Sequence, residues 1–163
     1  MAELELQRQI AVIADQLERL RKADTVLHVQ GGWTPAFTGT TIAGSFTYAK
    51  QFGIYTKINN QVFLYGAIQI SAIATPPTGN MTITGLPIAA AGVDAYYAAG
   101  VDWAFISNFN YTAAALDLTG YIRNATAIIE LYESFDNAAS VQVPAANFTN
   151  VNCFVTFSAT YQV

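Results

Sequence analysis

The acidic side chains near residue 130 are the ones whose type and spacing could support catalysis. Glu130, Glu133 and Asp136 lie close together in the sequence. A glycan-degrading enzyme needs two carboxyl groups about 5 to 9.5 Å apart on either side of a sugar bond. In a strand, however, Glu130 and Glu133 point to opposite faces, and Asp136 followed by Asn137 is typical of a turn. We therefore interpret the three carboxylates as solvated charges at strand ends.

Other catalytic chemistries lack the residues that they need. The chain contains one histidine, His28, and one cysteine, Cys153. Neither a metal cluster nor a Ser/His/Asp arrangement can be built from these, and no glycine-rich phosphate-binding motif is present. The sequence therefore predicts no catalytic residues, no metal and no cofactor.

One short segment has the composition of an exposed ligand loop. Asn108, Phe109, Asn110 and Tyr111 place amide groups, which can bind hydroxyl groups, beside aromatic rings, which can stack on sugar rings. We expect most other aromatic residues to lie in the core. These four residues are the candidate ligand loop.

The clearest geometric pattern lies in residues 3–27. Apolar residues recur there at alternating gaps of four and three, apart from Asp24, and this is the heptad pattern of a coiled coil. One heptad has isoleucine at both core positions, and the flanking positions carry almost no charge, which favours three or four identical chains. We predict an N-terminal α-helix that forms a short parallel trimeric coiled coil. Its seam consists of Leu6, Ile10, Ile13, Leu17, Leu20 and Leu27.

The alternative is an amphipathic helix that folds back onto its own domain. Alone, a helix of this length spans about 37 Å and is only marginally stable in water. Some apolar partner is therefore needed for its seam, whether that partner is the same chain or another copy.

Charge is distributed unevenly along the 163 residues. The chain has 7 Lys or Arg and 11 Asp or Glu, and nine of these charges follow Gln30. A domain of that size normally exposes more ionised side chains. Part of its surface is therefore expected to be covered by copies of itself.

Composition also excludes several partners. The net charge of −4 and the absence of a basic cluster argue against nucleic acid. Polar residues interrupt every apolar run before the roughly 20 residues that a membrane span needs, and no secretory signal is visible. The single cysteine fits synthesis in a reducing cytoplasm.

Beyond the helix, the apolar pattern changes to the period of two that is typical of β-strands. The predicted strands are 45–51, 53–58, 61–74, 81–84, 95–106, 111–115, 126–133 and 152–162. Asn59 and Asn60 suit a tight hairpin turn. Strand 61–74 is apolar on both faces, which predicts a central strand or one that faces a neighbouring subunit. In the last strand, one face carries Val151, Cys153, Val155, Phe157, Ala159 and Tyr161.

Together these patterns predict a mainly β protein. Eight short strands with no second helix favour an antiparallel β-sandwich of jelly-roll type. Residues 28–36 contain two glycines and a proline, and we interpret them as a linker or collar in which His28 is a polar residue. The predicted division is a coiled-coil helix and stalk over residues 1–29 and a β-sandwich domain over residues 30–163.

Several segments follow one another in an order that resembles a known group of proteins. These segments are Trp33-Thr34-Pro35, Phe46-Thr47-Tyr48, Gly53-Ile54-Tyr55-Thr56-Lys57-Ile58-Asn59, Val62, Thr82-Ile83-Thr84-Gly85-Leu86-Pro87 and the closing Tyr161. Over about residues 33–163 the order resembles the C-terminal knob of bacteriophage fibre and minor virion structural proteins. The resemblance implies a β knob that is commonly trimeric and carries variable loops.

Taken together, these observations predict a non-enzymatic, homotrimeric structural protein on the surface of a bacteriophage virion. It would be made in the cytoplasm of the host bacterium and would contact other capsid or tail proteins, as a capsid decoration or cement protein or as a short fibre. A stalk of about 37 Å projects little, which favours this interpretation. The alternative is a tail-fibre receptor-binding knob that recognises host surface glycans through residues 108–111. A glycan-degrading enzyme is the third hypothesis.

Overall fold

The computed structural model describes residues 2–23, 28–92, 97–149 and 151–163. One N-terminal helix, α1, spans Ala2–Ala23, and a short 3₁₀ turn spans Ala145–Asn147. The strands are β1 His28–Trp33, β2 Ala36–Gly39, β3 Ser45–Ile58, β4 Gln61–Thr75, β5 Met81–Thr84, β6 Tyr97–Ser107, β7 Ala115–Arg123, β8 Ile128–Phe135, β9 Ala138–Gln142 and β10 Phe154–Gln162. In this part of the chain, no helix has the length and apolar character needed to cross a membrane.

Helix α1 forms as the sequence predicts, and its apolar seam is open to solvent. Asp15 and Arg19, one turn apart, form an ion pair of 2.9 Å, which supports the helix modestly. The seam side chains that are described are each more than half exposed, namely Leu6, Ile10, Ile13 and Leu17. Leu20 lies within the helix, and Leu27 lies outside the described residues. These four side chains are not covered by the described strands, so the folded-back arrangement is not observed for this part of the seam.

All ten strands belong to one antiparallel sheet. Nine follow the order β1-β3-β4-β10-β6-β7-β8-β5-β2, and β9 pairs with β8. Strands β1 and β2 lie at opposite ends of this order, yet only Thr34 and Pro35 separate them in sequence. Nine flat strands would extend about 38 Å at roughly 4.8 Å per strand, whereas the connection reaches about 10 Å. The sheet must therefore fold over on itself, which is consistent with the predicted β-sandwich.

The core lies between the folded halves of this sheet. Strand β10 supplies alternate side chains to it, and Val155, Phe157 and Tyr161 are almost fully buried. Cys153 is buried as predicted, but Val151 is half exposed because it precedes the strand and Asn152 has a positive φ of 72°. Strand β4 lies between β3 and β10, which confirms its predicted central position.

Three of the segments that carried the family resemblance, those of Trp33, Gly53 and Gly85, meet where the two sheet edges join. Trp33 pairs with Gly53, and its indole occupies the space that a side chain at Gly53 would need. The Trp33 Nε1–H donates a hydrogen bond of 3.0 Å to the Tyr65 carbonyl. At Gly85, φ is +91°, and a Cβ there would lie 2.4 Å from the Thr34 carbonyl oxygen. The glycines are therefore needed for close packing at the join.

Residues 28–36 are not a linker, contrary to the sequence interpretation. Gly31 and Gly32 lie inside β1, which pairs along its whole length with β3. A Cβ at Gly31 would lie 2.7 Å from the Tyr55 ring, so this glycine marks close packing rather than a break. The predicted boundary between residues 29 and 30 falls inside β1, and the division into two domains stays a prediction.

Other strand predictions differ in detail. The predicted strands 45–51 and 53–58 form the single strand β3. Residues 111–114 are not a strand, because Ala114 has a positive φ of 68° and β7 begins only at Ala115. Asn59 has a positive φ of 53° between β3 and β4, which confirms the predicted hairpin turn. Strands β2 and β9 have four and five residues, so their apolar alternation is too short to be recognised from the sequence.

We predict that Gly53→Ala lowers the free energy of unfolding by about 1 to 3 kcal/mol, because the new methyl group overpacks against Trp33. Gly100→Ala is the matched control, since a Cβ there meets nothing within 4 Å. Urea denaturation at equal protein concentration, followed by circular dichroism, measures both. Equal stabilities for the two variants would contradict the packing described at the join.

Candidate functional site

Glu130 is not a solvated strand-end charge, contrary to the sequence interpretation. Its side chain is almost completely buried on β8, with 3% of the residue exposed. Arg123 Nη1 lies 2.5 Å from one carboxylate oxygen, and the Tyr132 hydroxyl donates to the other at 3.2 Å. The burial is possible because the charged group is paired and hydrogen-bonded. Glu130 is therefore held by its neighbours and not presented to a ligand.

Glu133 is also buried, with no exposed area. Its Oε1 accepts hydrogen bonds from the Thr112 backbone N–H at 2.8 Å and from Asn147 Nδ2 at 3.3 Å. Its Oε2 is buried and has no hydrogen-bond partner within the described ranges. The carboxylate thus attaches the segment before β7 to the 3₁₀ turn. The sequence contained a signal for this burial. In a strand, Glu133 lies on the same face as Ile129 and Leu131, which are core residues.

The carboxylates near residue 130 therefore do not form a paired acid and base. Glu130 and Glu133 contact different partners, as described above. Asp136 lies in an exposed turn with Asn137, whose φ is +54°, and this confirms the predicted turn. Within the residues that the structure describes, no group of three His, Cys, Asp or Glu side chains could hold a metal ion.

The candidate ligand loop, residues 108–111, is partly used for internal packing. Asn108 Nδ2 donates to the Asn152 carbonyl at 3.2 Å, and the Phe109 ring lies 5.2 Å from the Phe148 ring and 4.9 Å from the Tyr111 ring. Asn108, Asn110 and Tyr111 are exposed. The recess beneath the loop leaves no room for a water molecule. The loop can therefore contact a ligand only at its outer surface.

Tyr111 in this loop and Cys153 beneath it both have raised pKa values. Burial raises the pKa of the Cys153 thiol to about 12, so the thiol is protonated and unreactive at neutral pH. Burial also raises the pKa of Tyr111, and the negative charges of Asp117 and Glu133 add to the effect. Both groups are therefore neutral at pH 7, the thiol in the core and the Tyr111 hydroxyl at the surface.

A cleft opens between β6 and β7, and the sequence analysis did not identify it. The ladder between these strands begins at Tyr97 and Arg123 and ends at Val101 and Gly120. Past that pair the strands separate and leave a cleft of about 340 Å³. Because the cleft depends on where the ladder ends, no local sequence pattern indicates it. Its lining residues are Val101, Asp102, Trp103, Ile106, Asp117, Leu118 and Thr119.

The cleft has an apolar floor and a polar rim. Strand alternation directs Trp103 and Leu118 inwards and Asp102, Asp117 and Thr119 outwards. The Trp103 ring packs 5.4 Å from the Phe157 ring, and its buried Nε1–H has no hydrogen-bond partner within the described ranges. Carboxylates and a hydroxyl around an aromatic floor suit a small ligand rich in hydroxyl groups.

Comparisons with known proteins add information on the fold. No family model matches the sequence, and no curated protein matches it. Among solved structures, the chain is similar to the crystal structure of the Dettilon tailspike protein (gp208), with a TM-score of 0.63 and 14% sequence identity. The match covers 85% of this chain and 24% of that chain. At this identity the similarity shows a shared fold, and this chain spans about a quarter of the tailspike chain's length.

We predict that stability falls as pH rises above about 9. The unfolded Cys153 thiol loses its proton near pH 9, whereas the folded thiol keeps it up to about pH 12. The unfolded state therefore binds fewer protons, and the free energy of unfolding decreases with pH. Tyr161, whose pKa burial also raises to about 12, adds to the decrease above pH 10.

Urea denaturation at pH 7, 9 and 10 measures this loss of stability. Cys153→Ala should remove the decrease in the free energy of unfolding that the thiol causes between pH 9 and 10. The variant is also less stable than the wild type, because the substitution leaves a small cavity. An identical pH slope in the wild type and the variant would show that the thiol is not protected by burial.

Proposed function

We propose that this chain is a non-enzymatic, homotrimeric structural protein on the surface of a bacteriophage virion, as a capsid decoration protein or a short fibre. The observation that carries the proposal is the combination of a fold similar to that of a tailspike protein with a helix whose apolar seam is open. In this proposal the chain is made in the cytoplasm of the host bacterium and contacts other capsid or tail proteins.

The exposed seam supports the trimer. Burying a Leu or Ile side chain contributes about 1.5 to 3 kcal/mol, and helix α1 has four such side chains exposed along one stripe. Isoleucine at both core positions, Ile10 and Ile13, favours more than two strands. A parallel coiled coil of three copies would cover the stripe and stabilise a helix that is marginal alone.

The burial of the acidic residues supports a structural role over glycan cleavage. Glycoside hydrolysis needs two carboxyl groups on either side of a bound sugar. Glu130 is paired with Arg123, and Glu133 holds the Thr112 backbone and Asn147. Each carboxylate therefore has a structural explanation in the fold.

The proposal is tested on purified virus particles. We predict that mass spectrometry detects the chain in particles purified by density gradient, in a copy number divisible by three, and that antibodies against the folded chain label the particle surface. A mock preparation from uninfected cells is the control. A chain found in the infected-cell lysate but missing from the particles would overturn the virion role.

The cleft between β6 and β7 favours a second candidate function, recognition of a host surface glycan. The polar rim of Asp102, Asp117 and Thr119 can bind sugar hydroxyl groups, and Trp103 forms an aromatic floor. This site differs from the candidate ligand loop, residues 108–111, which has no space beneath it.

Binding of purified host surface polysaccharide to the immobilised full chain tests the second function. We predict that Asp102→Ala with Asp117→Ala weakens binding at least tenfold, which corresponds to about 1.4 kcal/mol. Asp136→Ala, in an exposed turn, is the matched control, and Tyr111→Ala tests the loop. Binding that is lost only in Tyr111→Ala would transfer the site to the loop, and the absence of saturable binding would exclude both.

A further inference from the structure

The outer face of the sheet formed by β1, β3, β4, β10 and β6 carries an unusual number of exposed apolar side chains. Strand alternation directs one set of residues in these strands to the core and the other set outwards. The outward set includes several large apolar residues that are between 38% and 59% exposed. These are Phe52, Ile54, Ile58, Phe63 and Phe105, which we call the outer apolar face.

The apolar residues of the outer apolar face lie side by side on β3 and β4, and a second pair of rings lies across β10 and β6. Ile54 of β3 pairs with Tyr65 of β4, and Tyr65 pairs in turn with Ser158 of β10. The Phe52 and Tyr65 rings lie 5.9 Å apart, and on the far side the Phe105 and Phe154 rings lie 5.4 Å apart. A monomeric protein rarely exposes one apolar patch larger than a few hundred Å².

The size of this face suits a subunit interface. Five strands at roughly 4.8 Å spacing and about nine residues at 3.3 Å each cover about 700 Å². A typical stable interface buries about 800 Å² on each partner. Because each copy in a trimer has two neighbours, this area is divided between two contacts and adds to the contact that the helices make.

Chain continuity favours further copies of this chain as the partner. Strand β1 is an edge of this sheet, and it begins at His28, while helix α1 ends at Ala23. Five residue steps reach at most about 17 Å, so a bundle of three helices would hold the β1 edges of three copies close to one axis. This sheet is therefore the part of the domain that the bundle would bring together.

We propose that the outer apolar face packs against neighbouring copies of this chain, so that the trimer is held by the β domains as well as by the helices. This proposal rests on the homotrimer proposed above and identifies its second contact surface.

Sedimentation equilibrium of the full chain over a wide concentration range tests the proposal. We expect the wild type to have three times the mass of the chain. Ile54→Lys with Phe63→Lys should weaken association at least 100-fold, whereas Leu116→Lys, which changes a more exposed residue on β7, should change it less than threefold. The helix seam is tested separately by Ile13→Ser against Val12→Ser, since Val12 is exposed but lies outside the seam.

Maleimide labelling gives a second readout that does not depend on destabilising the assembly. Ser158→Cys places a thiol at the centre of the outer apolar face, and Ala139→Cys places one on exposed β9. Under conditions where the trimer forms, the first thiol should react at least tenfold more slowly than the second. Native Cys153 is buried and serves as the unreactive background.

The outcomes separate the two proposals. The double variant Ile54→Lys with Phe63→Lys could remain a trimer, and Ser158→Cys could react freely. This result would overturn the proposed contact through the outer apolar face, while the trimer and the virion role would stand. A wild-type chain that is monomeric at every concentration would overturn both the trimer and the face, whereas the particle experiment would still decide the virion role.

Discussion

The two-residue connection between β1 and β2 is the constraint on which the rest of this structure depends. Thr34 and Pro35 join strands that lie at the two ends of the strand order, and a segment so short forces the sheet to fold over. Trp33 before the connection and Gly85 beside it fix the join through close contacts with little tolerance for added volume. Once the edges meet, the alternation of every strand determines which side chains fill the core and which remain outside.

Features that arise from local periodicity could be predicted from the sequence. The helix, the strand Met81–Thr84 and the buried face of β10 follow directly from apolar spacing. Glycines produced the main error, because Gly31 and Gly32 were interpreted as a break, although they lie in a strand and Gly31 makes room for the Tyr55 ring. A glycine pattern has the same appearance in a loop and in a tightly packed strand, and only the packing partner distinguishes the two.

The candidate sites depended on contacts between distant segments, so they were harder to predict. Glu133 is buried because a backbone N–H and an asparagine from two other segments reach its carboxylate. The cleft exists because the β6–β7 ladder stops at Val101 and Gly120. Neither the burial of Glu133 nor the end of this ladder is indicated by the neighbouring residues in the sequence. The low charge of the domain, in contrast, is visible in the sequence and agrees with the outer apolar face. The tailspike similarity shows the fold, whereas the proposals of a glycan site and of a second trimer contact rest on these surfaces.

The two tryptophans of the chain occupy positions that would allow separate optical measurements in single-tryptophan variants. Trp33 is buried at the join of the sheet edges, and Trp103 is partly exposed in the cleft, while both rings pack on Phe157. With Trp103 replaced by phenylalanine, emission from Trp33 would report whether the sheet is closed. With Trp33 replaced, emission from Trp103 would report changes in the cleft, and neither measurement requires an added dye.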